Sequence, residues 1–354
     1  MFSTQDAATD AREESLTFSG VSDSREDVMS LDFKFHAALA AGVLTVASVG
    51  TAHAQTELRW GHVYEAQSPY HEWAEWAADT LEERTDGRYS IEVFPASSLG
   101  KQVDLAEGLS LGSVDIIYDG QFFAGRRYGP MAIGSAPFMF RDFAHWQAYR
   151  DSKLFQDLSA GYTDATGDDI AGLVYYGQRH VTSNTEIKTP ADMEGMKIRV
   201  PNASLYKMFP EAVGANATPM AFAEVYLALQ QGVVDAQENP LPTIQFKKFH
   251  EVQDYITLTG HITDALLTIV AGRLSDDMSE EDYATLMDVL EEAANGASSD
   301  IRNAELELVD WFRGQGTTVN EVDRTPFRDA VSEQLNGPEA TWDRETFDRL
   351  QALK

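Results

Sequence analysis

The chain reads as an α/β protein of two lobes that closes on a ligand held between them. Three features predict this. Strand-like and helix-like segments alternate from residue 56 to 120, a second such round runs from about 170 to 240, and no low-complexity linker separates the two. Strand–helix–strand succession implies parallel pairing through right-handed crossovers. The loops that follow such strands lie at the carboxyl edge of the sheet, where ligands usually bind. Two such edges facing each other make a cleft that shuts by a hinge.

The first round opens with "ELRWGHV", which alternates as a strand, then a loop from Tyr64 to Ser68 and Pro69 at a helix start. Trp73, Trp76, Ala77 and Leu81 fall on one helical stripe, stopped near Gly87. "YSIEVFP" is a strand, "KQVDLAEGLSLG" a helix ended by Gly112, and "VDIIYDG" a third strand. In the second round "IAGLVYYG" and "MKIRVP" read as strands, "SLYKMFPEAVG" and "AFAEVYLALQQG" as helices, and "VVDAQENP" as a strand entering a loop. Residues 279–316 are helical with a break expected at Gly296, and the tail is amphipathic, with Trp342 and Phe347 as its packing residues. The expected division puts residues 55–177 and 265–304 in lobe I, and 178–264 and 305–354 in lobe II.

The first 54 residues do not read as part of this domain. Met1 to Val28 is polar, acidic and without apolar periodicity, and is expected to be an overhang that is not translated. Met29 then opens a secretory signal spanning residues 29–54: Lys34 and His36, an apolar run from Ala37 to Gly50, and Ala52-His53-Ala54 before Gln55. The run is shorter than the roughly 20 residues needed to cross a bilayer. A periplasmic location follows as the expectation.

Of 354 residues, 27 are basic and 57 acidic, a formal charge of −30. That balance opposes binding to nucleic acid or to anionic membranes, both of which need a positive face. It also repels anions at long range, so an anionic ligand must be held by local donors. With no cysteine, disulfides, thiolate metal sites and cysteine nucleophiles are all absent. Gly108 to Gly112 matches G-x-S-x-G, but Ser110 falls at a helix end before a strand, the reverse of a nucleophile elbow. His71-Glu72 lacks the second histidine of a zinc-protease helix, since Glu75 and Trp76 follow. No phosphate-binding glycine loop appears, so no nucleotide, cofactor or metal is expected, and no enzymatic activity.

Against this background two arginines stand out. Arg179 ends "LVYYGQR" and Arg199 lies within "MKIRVP", and neither has an acidic residue placed to pair with it along the chain. A guanidinium fork matches a carboxylate through two parallel hydrogen bonds, and Asn239 in "DAQENPL" can add an amide donor. From pattern alone, an ion pair between Arg199 and a surface carboxylate is an equally good reading.

The motifs "TSN", "PADMEGMKIRVPNA", "GANATPMAFAEVYLALQQGVVDAQENPL" and "KKFHEVQDYITLTGH", with "VFPASSLG" in the first lobe, resemble the solute-binding proteins of tripartite ATP-independent periplasmic (TRAP) transporters. The likeness is of the dicarboxylate-binding type and nearest the sialic-acid branch, and it covers Thr56 to about Gly316. It implies the two-lobed periplasmic-binding-protein fold, a small organic acid as ligand, and a small and a large integral membrane subunit as partners. It also implies roles: Arg199 pairs the ligand carboxylate, Arg179 is the second arginine, Asn239 reaches the same carboxylate and Phe222 walls the cavity. Where the sialic-acid branch has an asparagine, an aspartate and a glutamate, this chain has Val63, Gln102 and Gly120. Tyr64, Glu65, Gln102, Asp119 and Gln121 are therefore candidates to read hydroxyls on a smaller ligand. A sugar acid such as a uronate, or another hydroxy acid, is the first expectation, then a C4-dicarboxylate, then an aromatic acid. A sensor module for a membrane kinase and an exported hydrolase are the rival classes.

Overall fold

The structure is a computed structural model that describes residues 55–354; the overhang and signal segments expected from sequence lie outside the described residues. In chain order it runs β1 (Thr56–Gly61), α1 (Pro69–Arg84), β2 (Tyr89–Phe94), α2 (Gln102–Leu111), β3 (Ile116–Gly120) and α3 (Gln121–Ala124). Next come α4 (Phe143–Arg150), α5 (Lys153–Thr166), β4 (Asp169–Ser183), β5 (Lys197–Val200), α6 (Met208–Ala212), β6 (Asn216–Pro219), α7 (Val225–Gln230) and β7 (Ala236–Pro240). The rest is α8 (Leu241–Phe246), β8 (Tyr255–Val270), α9 (Leu274–Asp277), α10 (Glu280–Gly314), β9 (Thr318–Asn320), α11 (Thr325–Val331) and α12 (Arg344–Gln351).

The strands form one sheet ordered β2-β1-β3-β8-β4-β7-β5-β6, with β9 beside β8. Lobe I holds the parallel set β2-β1-β3 and lobe II the parallel set β5-β6 with β7. Between them β4 and β8 pair antiparallel along nearly their whole length. At about 3.3 Å per residue the 15-residue β4 is about 50 Å long, enough to run through both lobes. The two crossing strands are therefore shared by both lobes, and β8 is an element that the sequence reading did not separate out.

β4 does not run straight. Its register against β8 shifts between Tyr175 and Gly177 and again between Arg179 and Val181. At Gly177 φ is +114°, and a Cβ there would lie 2.7 Å from that of Pro240. In an unbroken strand, residues 176 and 179 would face opposite sides. The bulge turns the chain so that the Arg179 guanidinium lies 5.7 Å from the Tyr176 ring.

Two expectations need correction. The helix over 279–316 is unbroken: α10 spans 35 residues, about 50 Å at 1.5 Å per residue. Gly296 does not break it but admits a neighbour, because a Cβ there would lie 2.3 Å from the Trp73 ring of α1. The second concerns the carboxyl end, assigned to lobe II. There α11 does pack on α6, but α12 returns to lobe I. Arg141 donates to the Gln351 carbonyl (3.1 Å), His145 Nε2 donates to the Leu350 carbonyl (3.0 Å), and Arg349 pairs with Asp157 at 2.6 Å. These are carbonyl and charge contacts that an amphipathic pattern does not specify.

Gly296→Ala gives a test of opposite sign to helix propensity. Alanine normally favours a helix over glycine by about 1 kcal/mol, but here the clash with Trp73 should lower stability by about 1–3 kcal/mol, read as a reduced urea midpoint.

Candidate ligand site

β5 carries Arg199 between β6 and β7, directly opposite Gln237. The residue is 1 % exposed. Nε and Nη2 both donate to the Met220 carbonyl, at 3.1 and 2.7 Å, while Nη1 has no partner. One carbonyl thus takes the side edge of the guanidinium and leaves its end, one N–H from each Nη, unused. Among the described residues no carboxylate forms an ion pair with it. Burial lowers its pKa to about 10, so it stays cationic at neutral pH. An unsatisfied buried donor costs about 1–3 kcal/mol, more when charged. The alternative of a surface ion pair for Arg199 is thereby set aside.

Arg179 is placed quite differently. Its Nε and Nη2 donate to the Glu238 carboxylate, Nη2 also to the Glu238 carbonyl (2.8 Å), and Nη1 to Asp264 Oδ2 (3.0 Å). All three side chains are buried. Burial pushes the Glu238 carboxyl up, but Arg179 and the hydrogen bond from His261 outweigh it and hold it at about 2. The arginine expected to meet a ligand is thus committed to two protein carboxylates. Its mates lie on β7 and β8, the two strands that flank β4, where a search along the chain cannot find them.

Asn239 also has protein partners. Its Oδ1 accepts from the Tyr176 hydroxyl (3.2 Å) and its Nδ2 donates to Gln237 Oε1 (2.6 Å), whose own amide donates to Thr182 at 3.1 Å. This buried amide chain supports the floor beside β5.

Phe222 and Tyr64 bring the lobes together. The Phe222 ring lies 5.8 Å from the Arg199 guanidinium and 6.0 Å from the Tyr64 ring of lobe I. Tyr64 in turn neighbours Tyr70 (4.6 Å), Tyr176 (5.6 Å) and Tyr118 (6.3 Å). Thr243 lines the same narrow space, and neither its hydroxyl nor that of Tyr118 has a partner. At the rim Glu65 pairs with Lys247 (2.6 Å) and Lys101 with Glu224 (2.9 Å), each across the two lobes.

The remaining expected residues lie elsewhere. Gln121 is packed inside lobe I, where its Oε1 accepts from Tyr149 (3.0 Å) and its amide abuts Gly134. Asp119 and Gln102 line a separate, more open cavity of about 540 Å³ with Phe123, Arg126 and Arg127. The cause is strand alternation. Tyr118 faces Trp60, His62 and Tyr64, so its neighbour Asp119 points to the opposite side of β3. Tyr118, which the sequence places near the ligand with Phe122 and Phe123, does face this region, whereas Tyr176, Tyr206, Thr243 and Asp264 are neighbours that the sequence reading did not name. Asp264 needed the strand pairing.

Two lobes built on shared strands, with Arg199 buried on β5 and no protein carboxylate paired with it, are the arrangement with which the comparisons with known proteins agree. The family profile described as bacterial extracellular solute-binding protein, family 7 (DctP) matches residues 60–339. The chain is 34% identical over 288 residues to the 2,3-diketo-L-gulonate-binding periplasmic protein of Escherichia coli, covering 80% of this chain and 86% of that one. It is 32% identical over 290 residues to the sialic acid-binding periplasmic protein of Vibrio cholerae, covering 82% and 90%. Among solved structures, a TRAP solute-binding protein of a Polaromonas species bound to D-erythronate superposes with a TM-score of 0.81 at 30% identity, covering 85% of this chain and 99% of that one. Another, from Roseobacter denitrificans with bound L-galactonate, gives 0.79 at 30% identity over 84% and 99%. The chain belongs to the DctP family, the solute-binding proteins of TRAP transporters.

Burial raises the Asp119 carboxyl from its ordinary 3.8 to about 8. The folded state therefore holds this proton more tightly than the unfolded one, and the contribution to stability is greatest below pH 4. It falls as pH rises from about 4 to about 8 and is level above. Asp119→Asn should match the parent at pH 4 and exceed it by a few kcal/mol at pH 9, measured by urea unfolding at each pH.

Proposed function

We propose that this protein captures a small hydroxylated acid of the sugar-acid class in the gap between its lobes, in the periplasm. It then hands the acid to the two integral membrane subunits of its transporter. The observation that carries this is the free end of the Arg199 guanidinium, buried, cationic and without a protein carboxylate. A ligand carboxylate supplies the missing acceptors through two parallel N–H···O bonds. The named ligands of the relatives, diketogulonate, erythronate and galactonate, are acids of this class. The ring of tyrosines offers hydroxyls to a polyol chain and ring faces to its C–H bonds. Burial keeps the Tyr118 and Tyr176 hydroxyls neutral by raising their pKa.

Magnitudes decide what holds the gap shut. Lys101 and Glu224 are both more than half exposed, and such a pair contributes about 0–1 kcal/mol. Lys247 and Glu65 are better shielded but still lie at the rim. A charge-assisted hydrogen bond to a buried ligand contributes about 1.5–3 kcal/mol. The ligand's bonds to Arg199 thus add more to closure than the exposed ion pairs do, on top of the aromatic contact of Tyr64 with Phe222.

Arg199→Ala should weaken binding of a cognate acid by roughly 100-fold or more, the cost of leaving one charge of a buried pair unmatched. Arg199→Lys, a point charge in place of a fork, should recover only part of the loss. Calorimetric titration showing unchanged affinity in the alanine variant would overturn the reading.

A further inference from the structure

Arg179 and Asp264 raise a question that carboxylate capture alone does not answer. The site region holds two guanidiniums, Arg199 and Arg179, and two buried carboxylates, Glu238 and Asp264. Glu238 already matches Arg179 with both of its oxygens. Asp264 is a second carboxylate on the same cation, and it is fully occupied. Oδ2 accepts from Arg179 Nη1 (3.0 Å) and the Tyr206 hydroxyl (3.1 Å), and Oδ1 accepts from Ser135 and from the Ala265 amide (2.9 Å). The Tyr206 ring lies 5.0 Å from the Arg179 guanidinium. A Cβ on Gly120 of lobe I would lie 3.1 Å from the Tyr206 hydroxyl, so this cluster stands where the lobes meet.

Resting on the carboxylate reading of Arg199, we infer that the site admits acids with one carboxylate and rejects those with two, because Asp264 takes the place at Arg179 that a second carboxylate would need. Counted with both carboxylates ionised, the four groups carry no net charge before a ligand arrives; burial raises the Asp264 carboxyl, opposed by Arg179 and by the hydrogen bonds from Ser135 and Ala265. A monoacid brings that count to −1 with Arg199 matched. A diacid brings it to −2, with its second carboxylate buried beside Glu238 and Asp264, whose shared cation Arg179 is already matched; Arg324 lies beyond His261 and donates to the Gly260 carbonyl. Other cations near the gap are engaged: Lys247 by Glu65 and Lys101 by Glu224. The buried histidines add no charge, since burial lowers His62 and His180 to about 3 and lowers His261 as well. The other end of a bound monoacid meets neutral hydroxyls instead, from Tyr118 and Thr243.

The test compares acids that share a carbon skeleton and differ only in the terminal group: galactonate with galactarate, erythronate with meso-tartrate, and butyrate with succinate. Calorimetric titration of the purified protein should show the monoacid of at least one pair bound and its diacid at least 100-fold weaker. Asp264→Asn removes the second negative charge, and should narrow that ratio at least tenfold, chiefly by strengthening the diacid. Equal or tighter binding of the diacids by the parent protein, lost in Arg199→Ala, would overturn this inference and leave carboxylate capture standing. A ratio unchanged in a folded Asp264→Asn protein would also overturn the role of Asp264. Failure of every acid in the panel to bind would overturn both readings together.

Discussion

A guanidinium buried without a carboxylate is an expensive thing to fold around, and the second lobe is arranged to tolerate it. Arg199 sits on a short parallel strand whose neighbours supply one carbonyl, from Met220, and one ring face, from Phe222. That support covers the side edge of the group and half of its hydrogen-bonding capacity at most. The remainder is the part that the proposed ligand carboxylate would take. A buried charge of this kind is held in place by surrounding packing and by the positive contribution of Glu238, which opposes the lowering of its pKa without touching it.

The two arginines show how the same residue type is assigned opposite tasks by position. Arg179 lies on a long strand flanked on both sides, so acidic side chains from β7 and β8 converge on it. Arg199 has β6 and β7 beside it, and neither points an acid at its free end. The bulge at Gly177 completes the contrast by turning Arg179 towards Tyr176. A net charge of −30 makes this arrangement necessary. With so many carboxylates in the chain, keeping one cation free of them requires that it be buried and that its strand neighbours be chosen.

Much of this was legible in the sequence. The helices and strands named in both rounds fall where apolar periodicity and the helix-terminating Gly112 put them, β6 excepted, and, of the two even readings of Arg199, the ion pair is not found among the described residues. What was not legible depends on pairing between distant segments. Glu238 and Asp264 reach Arg179 only because β4 lies between β7 and β8. Gln121 and Asp119 were expected at the site from their nearness to the end of β3, but the alternation of that strand and the short α3 send them away from Tyr64. Gly296 reads as a helix break to propensity and is a packing contact in space, because nothing local reveals that Trp73 of a helix 220 residues earlier is pressed against it.

The shared strands also constrain how the lobes can move. β4 and β8 pair along both lobes, and α10 packs against α1, β4 and α8, so it bridges them on the outside. The places where that ladder is already irregular are the shifts between Ile170 and Gly172, beside Gly177, and between Arg179 and Val181. Two of these lie beside Tyr176 and Arg179, next to the proposed ligand gap. On the proposed reading, a ligand carboxylate on Arg199 would load this same stretch of β4 through Tyr64 and Phe222, and the exposed ion pairs at the rim would add little to that.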